Sequence, residues 1–186
     1  FQITNLRNMV IRPDAHRSAV FGDNIVSTSQ PLAAQAGLSI MKQGGNAVDA
    51  AVAAAITLTV VEPTMNGIGT DALCLVWDGV NSHGLNACGT YPEQWAFKDF
   101  KQYSSMPDLG WQSVSVPGAV SSWVALSSRF GRLPFEDLFE PALRYAKDGF
   151  LVSTIIADQW NRQIHRFSKF EEFQRIFTSH ERSPEA

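Results

Sequence analysis

The segment that most restricts what this chain can fold into is GGNAVDAAVAAAITLTVVEP, from Gly44 to Pro63. Between Val48 and Val60 it is apolar on every side of a helix, with Ala the commonest residue. Such a helix has no solvent face and is expected to be covered all round, sandwiched between a sheet and other helices. Small Ala side chains let the neighbouring backbones come close. Gly44-Gly45 closes the element before it, because glycine takes the left-handed cap conformation without penalty. Asn46 is a good N-cap for the helix that follows. The run is broken by Asp49, Thr57 and Thr59 and stopped by Pro63, short of the roughly 20 apolar residues of a membrane span. It reads as a buried helix. Asp49, isolated in it, is expected to bond backbone near the Gly44-Gly45 corner or the helix N-terminus.

The flanking sequence alternates strands and helices. Asn24–Ser29 suits a short strand, and Ser29 with Gln30-Pro31 signals a helix start. Leu32, Ala36 and Ile40, with Ala33, Gly37 and Met41, give that helix one apolar face. Asp71–Trp77 is a near-continuous apolar strand, Asp78-Gly79 a hairpin turn and Val80–Ala87 its partner. Glu93–Tyr103 reads as a short irregular helix and Gln112–Val116 as a strand ending at Pro117-Gly118. Further helices follow over Val120–Phe130, closed by Gly131, and over Pro134–Asp148, closed by Gly149. The second is expected to bury Leu138, Pro141, Ala142, Tyr145 and Ala146. Val152 and Ser153 read as staple and N-cap of a last helix to about Phe167. From Ser168 no closing element is expected. A hairpin among alternating elements makes the class α+β, a layered mixture and not a doubly wound sheet. The domain reading is one unit over 1–186: an arm over 1–22, a core over 23–177 and a tail over 178–186.

Length and composition agree with one globular domain: 186 residues, 45% hydrophobic and 18% charged. A net charge of −3 without a Lys or Arg run gives no field for nucleic acid. Cys74 and Cys88 are the two cysteines; two buried thiols are the expected reading and one disulfide the alternative. Neither belongs to a CxxC, so no metal site is expected. The first twenty residues hold no apolar stretch of signal-peptide length, which leaves the compartment open with the cytoplasm as default.

Asn66-Gly67-Ile68-Gly69-Thr70-Asp71 approaches a dinucleotide-loop pattern, but it leaves a helix and enters a strand, the reverse of what that loop needs. A tight turn with positive φ at Gly67 or Gly69 is expected instead. His16, His83, His165 and His180 lie in no nucleophile context such as G-x-S-x-G. His165, beside Arg162 and Arg166, reads as solvated surface.

Four stretches together resemble one family. PLAAQAGLSIMKQGGNAVDAAVAAA is similar to the first helix pair of the gamma-glutamyltransferase family, amidases and acyl transferases of the N-terminal-nucleophile class. VEPTMNGIGTDALCLVWDG resembles its following turn and strand, SVSVPGAVSSW its P-G segment, and FGRLPFEDLFEPALRYAKDGFLVS its next two helices. The resemblance runs from about Gly22 to Ser153, and more loosely to Phe177. It implies the first half of the large subunit of a four-layer αββα sandwich. It also implies a Thr nucleophile freed by self-cleavage, whose own α-amino group is the general base. Thr178-Ser179-His180 is similar to the start of the family's small subunit, but Glu181-Arg182-Ser183-Pro184 is not strand-like, and the tripeptide is read as a decoy. No catalytic residue is therefore assigned within the chain.

Two departures from the transferases stand out. They carry D-F-R-E-x-A-P after the hairpin, its Arg gripping the glutamyl α-carboxylate; here Cys88 falls on the Arg and Gly89 on the Glu. A thiol cannot offer a charged bidentate fork. Gly67-Ile68-Gly69-Thr70-Asp71 replaces a run of glycines and is similar to the acylase and small-amide hydrolase branch. The resemblance thus implies hydrolysis of a small non-glutamyl amide, with Asn86, Cys88, Gly89 and Thr90 as substrate-binding wall, joined by the Val116–Gly118 turn. The partners implied are a small-molecule amide and a small subunit of the same precursor, with no cofactor, metal, nucleic acid or membrane. The alternatives are a gamma-glutamyltransferase with a cation supplied from elsewhere, and a non-catalytic binding or structural module.

Overall fold

The computed structural model of the chain describes residues 19–178. The expected arm over 1–22 and tail over 178–186, with His16 and His180, fall largely or wholly outside them. Helix α1 (Pro31–Lys42) begins on Gln30, whose side-chain Oε1 accepts from the N–H groups of Leu32 and Ala33, and closes at Gly44, φ 97°. Residue 30 takes the capping role that the Ser29 reading left open, while the Ser29 hydroxyl donates to Glu62 Oε2 at 2.5 Å. Asn24–Ser29 is not a strand, because no other strand lies alongside it among the described residues. Val26 instead packs where α1 meets α2; a Cβ on Gly37 would stand 3.0 Å from Val26 Cγ1 and from the Ala50 carbonyl.

Helix α2 (Ala47–Val61) opens with a reciprocal cap. Asn46 Oδ1 accepts from Val48 and Asp49 N–H, and Asp49 Oδ2 accepts from Asn46 N–H at 2.9 Å. Asp49 bonds backbone at the helix N-terminus as expected. It also reaches much farther along the chain, accepting from Arg132 N–H at 3.0 Å and Leu133 N–H at 3.4 Å, while Asn46 Nδ2 donates to the Phe130 carbonyl at 2.6 Å. Gly131 lacks a side chain for the same reason: a Cβ there would lie 2.8 Å from Asp49 Oδ1.

The core gathers Ile40, Val52, Ala53, Ile56, Ala119, Trp123, Leu126, Leu138 and Ala142. Strands β1 (Ala72–Trp77) and β2 (Ser82–Ala87) pair antiparallel, Leu73 opposite Asn86 and Trp77 opposite Ser82. Cys74, Val76 and Leu85 pack against the core. Leu73, Leu75 and Trp77 point the other way and are 73%, 84% and 65% exposed. The strand is apolar on both faces, yet only one is covered. Likewise α2 is not covered all round: Ala51 is exposed and Ala55 and Leu58 half-buried, because two strands are too narrow to roof the helix. No described helix is long and apolar enough to cross a membrane.

Helix α3 (Ala119–Phe130) ends at Gly131 without a left-handed residue, φ −66°. Where one helix was expected over Pro134–Asp148, a 3-10 turn (Phe135–Phe139) leads into α4 (Glu140–Asp148), with Pro141 in its first turn. Proline cannot donate a helical hydrogen bond, so the break falls before it. Leu138, Pro141 and Ala142 are buried, but Tyr145 is half-buried and Ala146 exposed, since nothing covers the last turn. Gln112–Val116 is likewise not a strand: a 3-10 turn (Trp111–Ser113) precedes an extended segment tied to Thr90 by a single bond. A further 3-10 turn spans Phe97–Phe100. Ser153 caps α5 (Thr154–Arg166) through Ile156 N–H, as expected. Against expectation α6 (Glu171–Phe177) closes the described chain; Phe173 packs on Phe167 and Phe177, a helical spacing of aromatics that the polar tail obscured.

Asp49→Ala would leave three backbone donors without their acceptor. At ~1–3 kcal/mol for each unsatisfied buried group, partly relieved by relaxation, we expect a loss of about 3 kcal/mol in the urea unfolding of the full-length protein. Asp49→Asn, which keeps one acceptor oxygen, should lose less. A loss below about 0.5 kcal/mol for the Ala variant would contradict the role given to this carboxylate.

Candidate active-site wall

Three chain segments meet at the end of the hairpin away from its turn. Asn86 Oδ1 accepts from Cys88 N–H at 2.9 Å and bends the chain as it leaves β2. Gly89 N–H then donates to Asp71 Oδ1 at 2.8 Å. Val116 N–H donates to the Thr90 carbonyl at 2.9 Å, and the N–H groups of Gly118 and Ala119 both donate to the Thr70 carbonyl, at 3.0 and 2.9 Å. Thr70 thereby satisfies orphan donors at the start of α3, where Gly118 has no capping side chain. The segments cross so closely that a Cβ on Gly89 would fall 1.6 Å from the Val116 carbonyl oxygen. One on Gly118 would fall 1.9 Å from that of Ala87.

The structure thus brings Asn86, Cys88, Gly89 and Thr90 beside Val116–Gly118. Asn86, Cys88 and Thr90 are exposed and Gly89 half-buried. Cys88 lies past the end of β2 and Cys74 on the inner face of β1, half-buried; both are free. This corrects the expectation of two buried thiols. Burial raises the pKa of the Cys74 thiol. Gly67 and Gly69 do not take positive φ; the turn is held by Thr70, whose N–H and hydroxyl both donate to the Gly67 carbonyl. No group of three or more His, Cys, Asp or Glu residues placed to hold a metal ion occurs among the described residues.

Among the described residues clefts open elsewhere, and the four that follow are not lined by the wall residues. Two flank α2. One of about 420 Å³ lies between Pro63-Thr64 and the aromatic residues of α5 and α6, and one of about 680 Å³ between Asp108–Val114 and Phe167–Glu172. His165 is exposed, as expected. Sequence reasoning missed two contacts. One is Asp71 to Gly89, eighteen residues apart. The other is at the hairpin turn, where His83 Nε2 donates to Asp78 Oδ2 at 2.6 Å and Arg129 donates to His83 Nδ1 at 3.2 Å. The Asp78–His83 pair was legible in principle, as a carboxylate opening a hairpin turn with a histidine just beyond it. Asp71 to Gly89 has no local pattern.

The sequence profile described as Gamma-glutamyltranspeptidase matches residues 33–186, and the chain belongs to that family. It is 34% identical over 180 residues to "Glutathione hydrolase-like YwrD proenzyme" of Bacillus subtilis, covering 91% of this chain and 33% of that protein. Among solved structures it is similar to gamma-glutamyltranspeptidase of Helicobacter pylori, with a TM-score of 0.82 and 25% identity over 90% of this chain and 50% of that one. It is also similar to cephalosporin acylase of Bacillus halodurans, with a TM-score of 0.81 and 37% identity over 95% of this chain and 36% of that one. The chain therefore spans a third to a half of these proteins. The mixed helix-and-sheet fold is that of these N-terminal-nucleophile hydrolases.

Two outcomes check this geometry. Gly89→Ala and Gly118→Ala each force backbone apart and should lower the melting temperature sharply or abolish soluble folding. Gly69→Ala, with nothing within 4 Å of the added atom, should stay within about 0.5 kcal/mol of wild type. Equal effects at all three positions would refute the crossing. The second outcome concerns pH. The N–H of Asn81 first, then His83 and the N–H of Val80, hold the Asp78 carboxyl well below the usual carboxylate range. A depressed folded pKa stabilises above the unfolded value near 4 and loses that stabilisation as pH falls through the folded one. The protection of the Asn81 N–H, the slowing of its exchange relative to that of an unstructured chain at the same pH, should therefore fall below about pH 4, and Asp78→Asn should remove that acid-dependent part.

Proposed function

We propose that this chain is part of a self-processing N-terminal-nucleophile amidohydrolase that cleaves a small non-glutamyl amide. Asn86, Cys88, Gly89 and Thr90 form one wall of its acyl pocket. Family membership supports hydrolase or transferase chemistry in general, and the relative from B. subtilis bears the name of a proenzyme. The observation that carries the narrower reading is the exposure of Cys88, a residue that by motif resemblance stands where a transferase has its carboxylate-gripping Arg. A thiol offers a glutamyl α-carboxylate no ion pair, and among the described residues the one ionisable side chain hydrogen-bonded to this wall is the Asp71 carboxylate.

In this reading the nucleophile is a threonine outside these residues, freed when the precursor cleaves itself. Its Oγ attacks the amide carbonyl carbon while its α-amino group takes the hydroxyl proton. Backbone N–H groups hold the oxyanion. The tetrahedral intermediate expels the amine, which receives that proton, and leaves an ester on the threonine. Water, deprotonated by the same amino group, then releases the acid. The strands bearing the threonine come from the second subunit, and they extend the sheet toward a four-layer αββα sandwich. The uncovered side chains of Leu73, Leu75 and Trp77 present the face on which the second sheet of that sandwich packs.

A second reading, gamma-glutamyl transfer or glutathione hydrolysis with a cation supplied from elsewhere, is favoured by the name of the B. subtilis relative. The two separate on a matched substrate pair. Butanoyl-p-nitroanilide is gamma-glutamyl-p-nitroanilide stripped of its α-amino and α-carboxylate groups. The full-length protein should turn over the butanoyl compound with the higher kcat/KM. Cys88→Arg should shift that ratio at least ~10-fold toward the glutamyl compound, a fraction of the 2–5 kcal/mol that a desolvated carboxylate contact supports. Preference of the wild type for the glutamyl substrate would reverse the order of the readings.

A further inference from the structure

We propose that Asp71 is a positioning residue for the acyl pocket: by accepting the Gly89 N–H it sets the direction in which Cys88 and Thr90 face the substrate. The proposal deepens the amidohydrolase reading and rests on it for the substrate.

Asp71 does little for the fold itself. It is exposed, precedes the first paired residue of β1 at Ala72, and among the described residues its side chain makes a single hydrogen bond, Oδ1 accepting from Gly89 N–H at 2.8 Å. Its backbone neighbour Thr70 already docks α3 through a carbonyl. The side chain is therefore free for one task. That task falls at the centre of the wall, since Gly89 lies between Cys88 and Thr90. On one side the segment is held by Asn86 Oδ1 on Cys88 N–H, on the other by the Thr90 carbonyl on Val116 N–H. Without Asp71 the peptide between these two anchors would have no partner for its donor and could rotate. Gly89, having no side chain, offers little rotational restraint of its own. Rotation there would swing the Cys88 thiol and the Thr90 hydroxyl, the two exposed side chains flanking it.

The contact also joins two parts of the sequence that read as separate peculiarities. The Asp ends the Gly67-Ile68-Gly69-Thr70-Asp71 turn, and the Gly occupies the tightest crossing of the wall. Acceptor and donor make them one feature. What the position needs is an acceptor atom, and an amide oxygen supplies one as well as a carboxylate does.

Substitution in the full-length, self-processed enzyme tests this, with butanoyl-p-nitroanilide as substrate and amide hydrogen exchange read over residues 86–90. Asp71→Ala should raise KM about 10-fold, leave kcat within about threefold, speed exchange at Gly89, and leave self-cleavage and melting temperature unchanged. Asp71→Asn should restore KM and slow exchange again. The proposal is overturned if Asp71→Ala alters neither KM nor exchange. It is overturned equally if that variant loses cleavage or melting temperature in step with activity, which marks a scaffold role. An Asn variant as impaired as the Ala variant also overturns it, because charge and not an acceptor would then be the requirement. If wild type does not turn over the anilide, the substrate reading fails, and the exchange pattern of the three proteins still decides the Asp71 contact.

Discussion

A buried carboxylate organises this chain. Asp49, fully buried in the first turn of α2, accepts backbone donors from Asn46, Arg132 and Leu133. It thereby fixes the N-terminus of the central helix against the loop joining α3 to the segment before α4. That placement lets Val52, Ala53 and Ile56 meet Trp123, Leu126, Leu138 and Ala142 in one core. The α3 helix so held carries Gly118 and Ala119 at its other end, where their N–H groups reach the Thr70 carbonyl. A single clamp is thus connected, along one rigid helix, to the crossing that shapes the candidate wall.

The wall itself is backbone chemistry. Glycines at 89 and 118 let two segments cross at distances that no side chain tolerates, and the hydrogen bonds of Asn86, Thr70 and Thr90 lock the crossing, while Asp71 holds the peptide N–H of Gly89. This precision is out of proportion to the two-stranded sheet that supports it. The sheet leaves Leu73, Leu75 and Trp77 in solvent and α2 partly unroofed. Exposed apolar patches of this kind mark surfaces that meet a partner, whether protein, ligand or membrane. The chain's coverage of a third to a half of its relatives agrees with that.

Local chemistry made much of this legible. Asn46, Ser153, Gly44, Gly149 and the Asp78-Gly79 hairpin announce caps and turns through residue types with few other uses, and each lies where expected. What failed depended on neighbours. Asn24–Ser29 has the composition of a strand, but a strand exists only where another lies beside it. Gln112–Val116 failed for the same reason, with one bond to Thr90 in place of a ladder. The all-round burial predicted for α2 assumed a wider sheet than two strands provide. At the wall, the sequence placed Asn86–Thr90 and Val116–Gly118 by resemblance. The Asp71 contact stayed hidden because it links positions eighteen apart that no periodicity relates.

The central claim is that this chain shapes the pocket while a threonine outside it breaks the bond. Trapping settles it most directly. The full-length protein is quenched in acid during turnover of butanoyl-p-nitroanilide, digested and mapped by mass spectrometry. The account predicts a butanoyl group, about 70 Da heavier (C4H6O added; trapped acyl-enzyme logic), on the N-terminal threonine of a peptide lying outside residues 1–186. An acyl group on the exposed thiol of Cys88, or turnover by a precursor that never divides, would contradict it.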